Sequence, residues 1–289
     1  MREGNGVAKA VARSLCPPVL WNLGRSVKTH LQPTPPSAPH RTFHGPYASW
    51  QEAVARSDGW DADVITARSL EAALKVRDGE IEWEQDTIPS RKIQYSPAIL
   101  AMLAIAVQRR RDDLCVIDFG GNLATNYYQN RKILAQLAPT RVRWSIVERP
   151  VFAALGNEHF ARDGLAFHSS LRDALRAAGR TPDAILFSGS LQCLADPLAT
   201  LDEVVASGVG VLAFDRLIVS PADEHRVYVQ SPDPDYYYPA TYPTWCFGKQ
   251  RFVDHLEANG YRLVEDFTLT PEREFDHCGM VFVRAGGAT

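Results

Sequence analysis

The chain of 289 residues has a net charge of -3, with 31 basic and 34 acidic residues, and is 45% hydrophobic. This length allows one large or two small domains with a sizeable core, and the charge gives no indication of nucleic acid as a partner. The five scattered cysteines form no C-x-x-C pair, so neither a disulfide framework nor a metal site is expected, which favours a reducing, cytoplasmic setting. No apolar run approaches the length of a membrane span.

Residues 1–43 are interpreted as a basic, proline-rich tail. Its basic residues face a single acid, Glu3, and a proline-rich linker occupies residues 32–36. Apolar residues alternate with the basic ones, but Lys9 and Arg13 interrupt any signal-peptide core. Two interpretations stay open, namely peripheral contact with a membrane through an interfacial helix and a plain basic tail.

Residues 44–110 are expected to form a helical cap that precedes the first strand of the main sheet. Ser49 predicts the start of a helix that runs from Trp50 past Ala55, with Glu52 as its capping-box partner. A second helix is expected over residues 63–77. A third, strongly apolar helix is expected to begin after Ser96 and to end in the arginines at 109–111.

The central stretch of the chain is residues 114–128. An apolar run at 114–117 ends at Asp118, Gly120 and Gly121 follow, and a helix is expected from about residue 124 to 137. A strand, a glycine turn and a helix in this order are typical of the first half of a nucleotide-binding crossover. Glycines there let backbone N–H groups approach a ligand closely.

Two cofactors could bind at this turn, a dinucleotide and S-adenosylmethionine. The next strand, at residues 143–147, ends at Glu148, whose carboxylate could accept hydrogen bonds from the ribose hydroxyls of either one. The G-x-G-x-x-G fingerprint of a dinucleotide site is absent. A carboxylate of Asp118 facing the same crevice would repel a pyrophosphate but would suit the ammonium group of S-adenosylmethionine. We therefore expect S-adenosylmethionine, held by Asp118, Gly120, Gly121, Asn122, Glu148, Ser169, Ser188 and Ser190.

Strands and helices alternate along the rest of the chain. Strands are expected at residues 165–168, 183–187 and 209–214, and helices at 171–178, 197–206 and 250–258. Two strand-like runs, 261–268 and 280–284, close the chain. This order predicts an α/β domain over residues 111–289, Rossmann-like, with a mostly parallel sheet of seven strands, an antiparallel edge and helices on both faces. The seven-stranded pattern is typical of class I methyltransferases.

The sequence resembles a methyltransferase family found in bacterial O-antigen, capsule and related biosynthetic gene clusters. The resemblance covers about residues 43–282, departing at Asn122 and Ala124, where that family more often has small residues or glycine. It implies a Rossmann-like fold and S-adenosylmethionine, and leaves the acceptor open. The matching segments are Gly45-Pro46-Tyr47, Ser49-Trp50, Ala53, Asp118-Phe119-Gly120-Gly121, Val147-Glu148, Phe187-Ser188, Leu191-Gln192, Asp215-Arg216, Gln230, Tyr242-Pro243 and Gly260-Tyr261.

Residues 217–247 are interpreted as an acceptor-binding loop. The segment leaves the carboxyl end of the fifth strand and is too long for a simple connection. Its aromatic and acidic side chains suit a sugar, with Gln230, Tyr242 and Trp245 as expected contacts. The alternative is a loop that packs on the sheet or on a second subunit, as in a homodimer.

Four residues are candidates for a direct part in methyl transfer. His225 is the first choice for a general base, because imidazole titrates near neutrality, and His277 is the second. Tyr128 could close over the methyl end of the cofactor. Arg216 could hold an acidic group of the acceptor, or simply pair with Asp118 or Asp215.

The predicted function is S-adenosylmethionine-dependent methyl transfer to an oxygen of a sugar or specialised metabolite. The alternative is a cofactor-binding scaffold protein of a biosynthetic complex that has lost the chemistry. The expected partner is a small-molecule or glycan acceptor.

Overall fold

The computed structural model of the protein describes residues 42–59, 63–162, 164–232, 240–271 and 275–286. The predictions made for residues 1–41 and for the acidic and aromatic run at 233–238 lie outside the described residues. The helices are α1 Trp50–Val54, α2 Asp63–Asp78, α3 Pro97–Arg109, α4 Thr125–Leu137, α5 Pro150–His159, α6 Leu171–Ala178, α7 Pro197–Ala206 and α8 Lys249–Ala258, with a 3-10 turn at Leu191–Cys193. The strands are β1 Thr42–Tyr47, β2 Trp83–Gln85, β3 Ile88–Ser90, β4 Leu114–Phe119, β5 Val142–Val147, β6 Leu165–His168, β7 Ala184–Ser188, β8 Val211–Ser220, β9 Arg226–Ser231, β10 Tyr242–Gly248, β11 Tyr261–Pro271 and β12 Asp276–Arg284.

One sheet of ten strands organises the described part of the chain. Its order is β1-β9-β10-β8-β7-β4-β5-β6, and β12 pairs with β8 and carries β11 at its outer side. The strands β6, β5, β4, β7 and β8 run parallel, whereas β12 is antiparallel to β8 and β11 is antiparallel to β12. A mixed α/β fold with a mainly parallel central sheet is therefore confirmed. The count of seven strands was too low, because β1, β9 and β10 were not predicted.

Four helices begin at a residue whose side chain caps the first turn. Ser96, Ser170 and Asp196 each accept a backbone N–H of the first helical turn, at distances of 3.4, 3.1 and 3.0 Å. Ser49 does the same for α1, at 3.2 Å, but that helix ends at Val54 rather than past residue 55. Such caps satisfy donors that have no partner within the helix.

The expected helical cap at residues 44–110 is only partly helical. Helices α2 and α3 are present, but β1 joins the main sheet through β9, and β2 and β3 form a separate hairpin. The sequence 83–90 has no glycine or asparagine at its turn, where Asp86 and Thr87 adopt φ values of 51° and 72°. Without these residues the hairpin carries no short-range signal.

The segment expected as a loop, residues 217–247, is largely strand. β8 continues to Ser220, and β9 and β10 pair antiparallel with each other. Arg216 has a φ of 55°, and the register of β8 with β12 shifts at this point of the strand. After the shift β8 pairs in parallel with β10, at Val219 with Phe247.

Helices cover both faces of the parallel strands. On one face α3, α4 and α5 supply buried side chains such as Ile99, Leu134 and Phe152 to one apolar cluster. On the other face α6, α7 and α8 bury residues such as Leu201 and Phe252 in a second cluster. No helix of the described segments is both long and apolar enough to cross a bilayer.

Candidate cofactor and acceptor site

A cavity of about 520 Å³ lies at the carboxyl ends of the central strands. One part of it is lined by Gly120 and Gly121 after β4, Glu148 after β5, and Ser169 after β6. Its other side is lined by residues of β8, β9 and β10 and by the turn of the β2–β3 hairpin. Open parallel sheets bind ligands at this edge, and the volume lies within the range of small-molecule sites.

The glycine turn brings the backbone to the cavity surface without side chains. Gly120 has a φ of 72°, and a Cβ atom there would lie 2.4 Å from the Cβ of Ser190. At Gly121 a Cβ atom would lie 2.6 Å from the Cγ of Asp118. Neither position accepts a side chain, so backbone forms this part of the cavity lining, and the Gly120 N–H donates to the carbonyl of Val147 at 2.8 Å.

The two residues at which the sequence departs from the family pattern both adopt left-handed backbone. Asn122 has a φ of 53°, and Ala124, the residue before α4, has a φ of 73°. Asparagine tolerates this conformation, whereas alanine pays roughly 1–2 kcal/mol for it.

Glu148 lines the cavity, and its carboxylate already accepts two hydrogen bonds from backbone N–H groups. Its Oε1 accepts the backbone N–H of Asn122 at 3.2 Å, and its Oε2 accepts that of Arg149 at 2.9 Å. Burial raises the pKa of this carboxyl, and the backbone donors oppose that rise. A carboxylate has about four lone-pair sites, so two remain for the hydroxyls of a ribose.

Asp118 does not line the cavity, which corrects the expectation that it faces the crevice. Its side chain is fully buried below Gly121 and accepts hydrogen bonds from Asn126 Nδ2 at 3.1 Å and Trp144 Nε1 at 3.2 Å. Burial raises its pKa to about 7. The carboxylate therefore supports the turn from behind and is not available to an ammonium group of the cofactor.

The three predicted serines line the cavity, and two of their hydroxyls already have acceptors. Ser188 Oγ donates to Asp215 Oδ2 at 2.7 Å, and Ser190 Oγ donates to the carbonyl of Phe119. These bonds connect the end of β7 to β8 and β4. Their direct role is to shape the turn.

Arg216 lines the cavity and is held by acids. Its guanidinium lies 3.2 Å from Asp86 Oδ2 and 3.6 Å from Asp215 Oδ2, and it donates to the carbonyl of Ser188 at 3.2 Å. Asp215 is buried and also accepts the Ser96 hydroxyl at 2.7 Å. Of the two pairings considered from the sequence, the one with Asp215 is present.

Two of the three predicted acceptor contacts lie at the cavity. Gln230 on β9 and Tyr242 on β10 line it, whereas Trp245 does not. The Trp245 indole donates to the carbonyl of Leu194 at 3.0 Å and stacks on Trp50, with ring centroids 6.1 Å apart. Trp245 therefore fastens β10 to its neighbours.

His225 and Tyr128 lie away from the cavity, contrary to the roles considered for them. His225 Nδ1 accepts the backbone N–H of Gly248 at 3.1 Å, and burial lowers the pKa of the ring. The Tyr128 hydroxyl accepts from Arg162, and its ring packs on Phe160. No histidine, His277 included, belongs to the cavity lining in the part of the chain that the structure describes.

Sequence reasoning missed Gln192 and the hairpin turn at 85–87. Gln192 lines the cavity from the 3-10 turn after β7, and its Nε2 donates to the carbonyl of Arg216 at 3.0 Å. The position of Gln192 shortly after the predicted strand at 183–187 was the one feature of the sequence that could have indicated its place at the cavity. The hairpin approaches the cavity only through tertiary packing.

No protein-family model and no curated protein matches the sequence. A search of solved structures finds proteins of low sequence identity. The 1,6-didemethyltoxoflavin-N1-methyltransferase of Burkholderia thailandensis is 17% identical over 86% of this chain and 99% of its own, with a TM-score of 0.41. The CcbJ methyltransferase of Streptomyces caelestis is 13% identical over 76% of this chain and 98% of its own, with a TM-score of 0.45. The [4+2]-cyclase SpnF is 12% identical over 78% and 96%, with a TM-score of 0.44. All three TM-scores lie below 0.5.

Proposed function

We propose that the protein is an S-adenosylmethionine-dependent methyltransferase. The observation that carries the proposal is the joint position of the Gly120-Gly121 turn and Glu148 at the tips of adjacent strands, in one cavity. Seven strands in the order β6-β5-β4-β7-β8-β12-β11, with β12 antiparallel, form the methyltransferase core in this proposal. A dinucleotide-binding sheet would continue with a parallel sixth strand after β8.

The chain offers the cofactor two kinds of contact. The two remaining acceptor sites of Glu148 suit both ribose hydroxyls, and the glycine turn leaves room for the backbone to touch the ligand. When bound, S-adenosylmethionine supplies a methyl group on a positively charged sulfur. Asp118 makes no contact with the cofactor in this assignment, since its carboxylate is buried behind the turn.

The acceptor would occupy the side of the cavity formed by Arg216, Gln230 and Tyr242. Methyl transfer to oxygen needs an in-line approach to the methyl carbon, and positioning and desolvation supply most of the acceleration. The carboxylate on this side is Asp86, which is paired with Arg216. We propose O-methylation of a sugar or specialised metabolite, consistent with a small-molecule cavity.

Calorimetry with S-adenosylhomocysteine tests the cofactor assignment. Glu148→Gln is expected to weaken binding by about 1–3 kcal/mol, the scale of a hydrogen bond to a charged group. Glu257→Gln, at an exposed position on α8, is the matched control and should leave affinity unchanged. Preferential binding of NAD, or equal affinity in Glu148→Gln and wild type, would refute the assignment.

A second candidate is a cofactor-binding scaffold protein that performs no transfer. It is favoured by the lining of the cavity, which contains no histidine in the described part, and by the strained turn at Asn122 and Ala124. Radiolabelled methyl donor separates the two candidates. Transfer of label to any small molecule of a cell extract supports the enzyme, and binding without transfer supports the scaffold.

A further inference from the structure

Glu84, on strand β2 of the small hairpin, is an almost fully buried acid, with 1% of its surface exposed. Its Oε1 accepts the hydroxyl of Thr125, and its Oε2 accepts the backbone N–H of Thr87 at 3.0 Å. Both of these partners are uncharged groups. Burial raises the pKa of Glu84, and the two hydrogen bonds lower it. Burying an acid beside neutral partners costs free energy, so its two contacts need an explanation.

The two residues that Glu84 holds both line the cavity. Thr125 is the first residue of α4 and comes directly after the glycine turn, whereas Thr87 lies at the tip of the β2–β3 hairpin. The residue before α4, Ala124, has no side-chain cap to offer, and the first turn of α4 contains no acid. Glu84 therefore supplies, from another element, the carboxyl that favours a helix N-terminus.

Backbone strain lies at both ends of this connection. Thr87 has a φ of 72° and Ala124 a φ of 73°, values that a β-branched residue and an alanine rarely adopt. Such conformations persist where surrounding contacts fix them, and they are concentrated at ligand sites. Glu84 bonds the backbone of the first strained residue and the side chain that follows the second.

The hairpin tip is also attached to the opposite part of the cavity lining. Asp86 Oδ2 lies 3.2 Å from the guanidinium of Arg216, at the end of the parallel part of β8. The tip is thus held from two sides, by the glycine turn through Glu84 and by β8 through Asp86. With the tip fixed in this way, the carboxyl of Glu84 has a rigid base from which to hold Thr125.

We propose that Glu84 is a positioning residue for the cofactor. Through Thr125 it holds the end of the glycine turn in the conformation that binds the adenosyl group, without touching the ligand itself. This inference rests on the proposed function. It differs from a purely structural role, because loss of the Glu84–Thr125 bond should weaken ligand binding and a variant that keeps the bond should restore it.

Calorimetry of the full chain with S-adenosylhomocysteine tests the inference. Glu84→Met removes both hydrogen bonds and should weaken binding roughly tenfold. Glu84→Gln should bind within about threefold of wild type, because its amide oxygen can accept from Thr87 and its amide nitrogen can donate to the Thr125 hydroxyl. Glu82→Met is the matched control. It breaks the 2.6 Å pair with Lys132, which joins the same hairpin to the same helix, and should bind like wild type.

A double-mutant cycle identifies the bond through which Glu84 acts. Thr125→Val should also weaken binding, and the double variant should bind no more weakly than Glu84→Met alone, since both changes remove one interaction. Losses that multiply in the double variant, or equal binding by Glu84→Met and wild type, would overturn the inference.

A second pair of variants decides the matter if circular dichroism shows that Glu84→Met does not fold. Thr125→Val should then bind roughly tenfold more weakly than wild type, and Thr125→Ser, which keeps the hydroxyl, should bind within about threefold. Equal binding by these two variants would overturn the inference. Failure of wild type to bind S-adenosylhomocysteine would refute the proposed function and this inference with it.

Discussion

Replacing Asp118 with asparagine is expected to stabilise the protein increasingly as the pH rises. The carboxyl is fully buried, and burial raises its pKa from 3.8 to about 7. The folded state therefore binds this proton more tightly than the unfolded chain does. Below pH 4 Asp118 is protonated in both the folded and the unfolded state, and it does not lower the free energy of unfolding. Above pH 7 it is ionised in both states, and it lowers the free energy of unfolding most. Asparagine removes this dependence.

The magnitude follows from the two pKa values. A rise of about three in pKa corresponds to roughly 4 kcal/mol, at 1.36 kcal/mol for each unit. Between pH 5 and pH 8.5 the penalty grows by about 3 kcal/mol. The asparagine Oδ1 can accept from Asn126 and Trp144, while its new N–H₂ group needs a partner, but that cost does not vary with pH.

Urea unfolding of the unliganded protein at several pH values measures this effect. The difference in free energy of unfolding between Asp118→Asn and wild type should rise by about 3 kcal/mol from pH 5 to pH 8.5. Asp112→Asn, at an exposed position, is the matched control for the substitution itself. A difference that stays level within about 0.5 kcal/mol across this range would refute the reasoning.

Three further outcomes are expected. Gly121→Ala should destabilise the fold by about 1–3 kcal/mol and abolish measurable S-adenosylhomocysteine binding, because its methyl group collides with a buried carboxyl; denaturant unfolding and calorimetry check both. Trp245→Ala should lower the melting temperature but leave cofactor affinity within a few-fold, since the indole bonds the backbone of Leu194 and does not itself line the cavity. His225→Ala should lose about 1 kcal/mol of stability with its bond to Gly248, and steady-state assays should show an unchanged maximal rate; a large fall in rate would restore the histidine as a base.

The strand-turn-helix unit around Gly120 was predictable because its signals are local. An apolar run, two glycines and a following helix occur within 24 residues, from Leu114 to Leu137. The direction of Asp118 was not predictable, because its hydrogen-bond donor Trp144 lies on another strand. A sequence places a side chain at a strand end, but the packing of other elements decides what surrounds it.

Strands β9 and β10 were missed for a related reason. Val227 and Val229 pack on Ala53, while the intervening Tyr228 packs on Phe43 from the other side. Both faces are covered, so the alternation of apolar and polar residues that marks a half-buried strand is absent. The part of the cavity lining that β9 and β10 supply thus depends on contacts between residues distant in the sequence.

The pairing of β1 with β9 has a consequence for how the protein is made. The Thr42 hydroxyl and the carbonyl of Ser231 meet across 189 residues of sequence. At about 5–20 residues per second, the ribosome releases the partner of β1 roughly 10–40 s after β1 itself. Until then β1 is an unpaired strand, and until β1 docks, the outer edge of β9 is open to pairing with other chains. The β1 edge of the sheet should therefore close only after residue 231 has been made, and slower translation of residues 48–231 should lower the yield of folded protein.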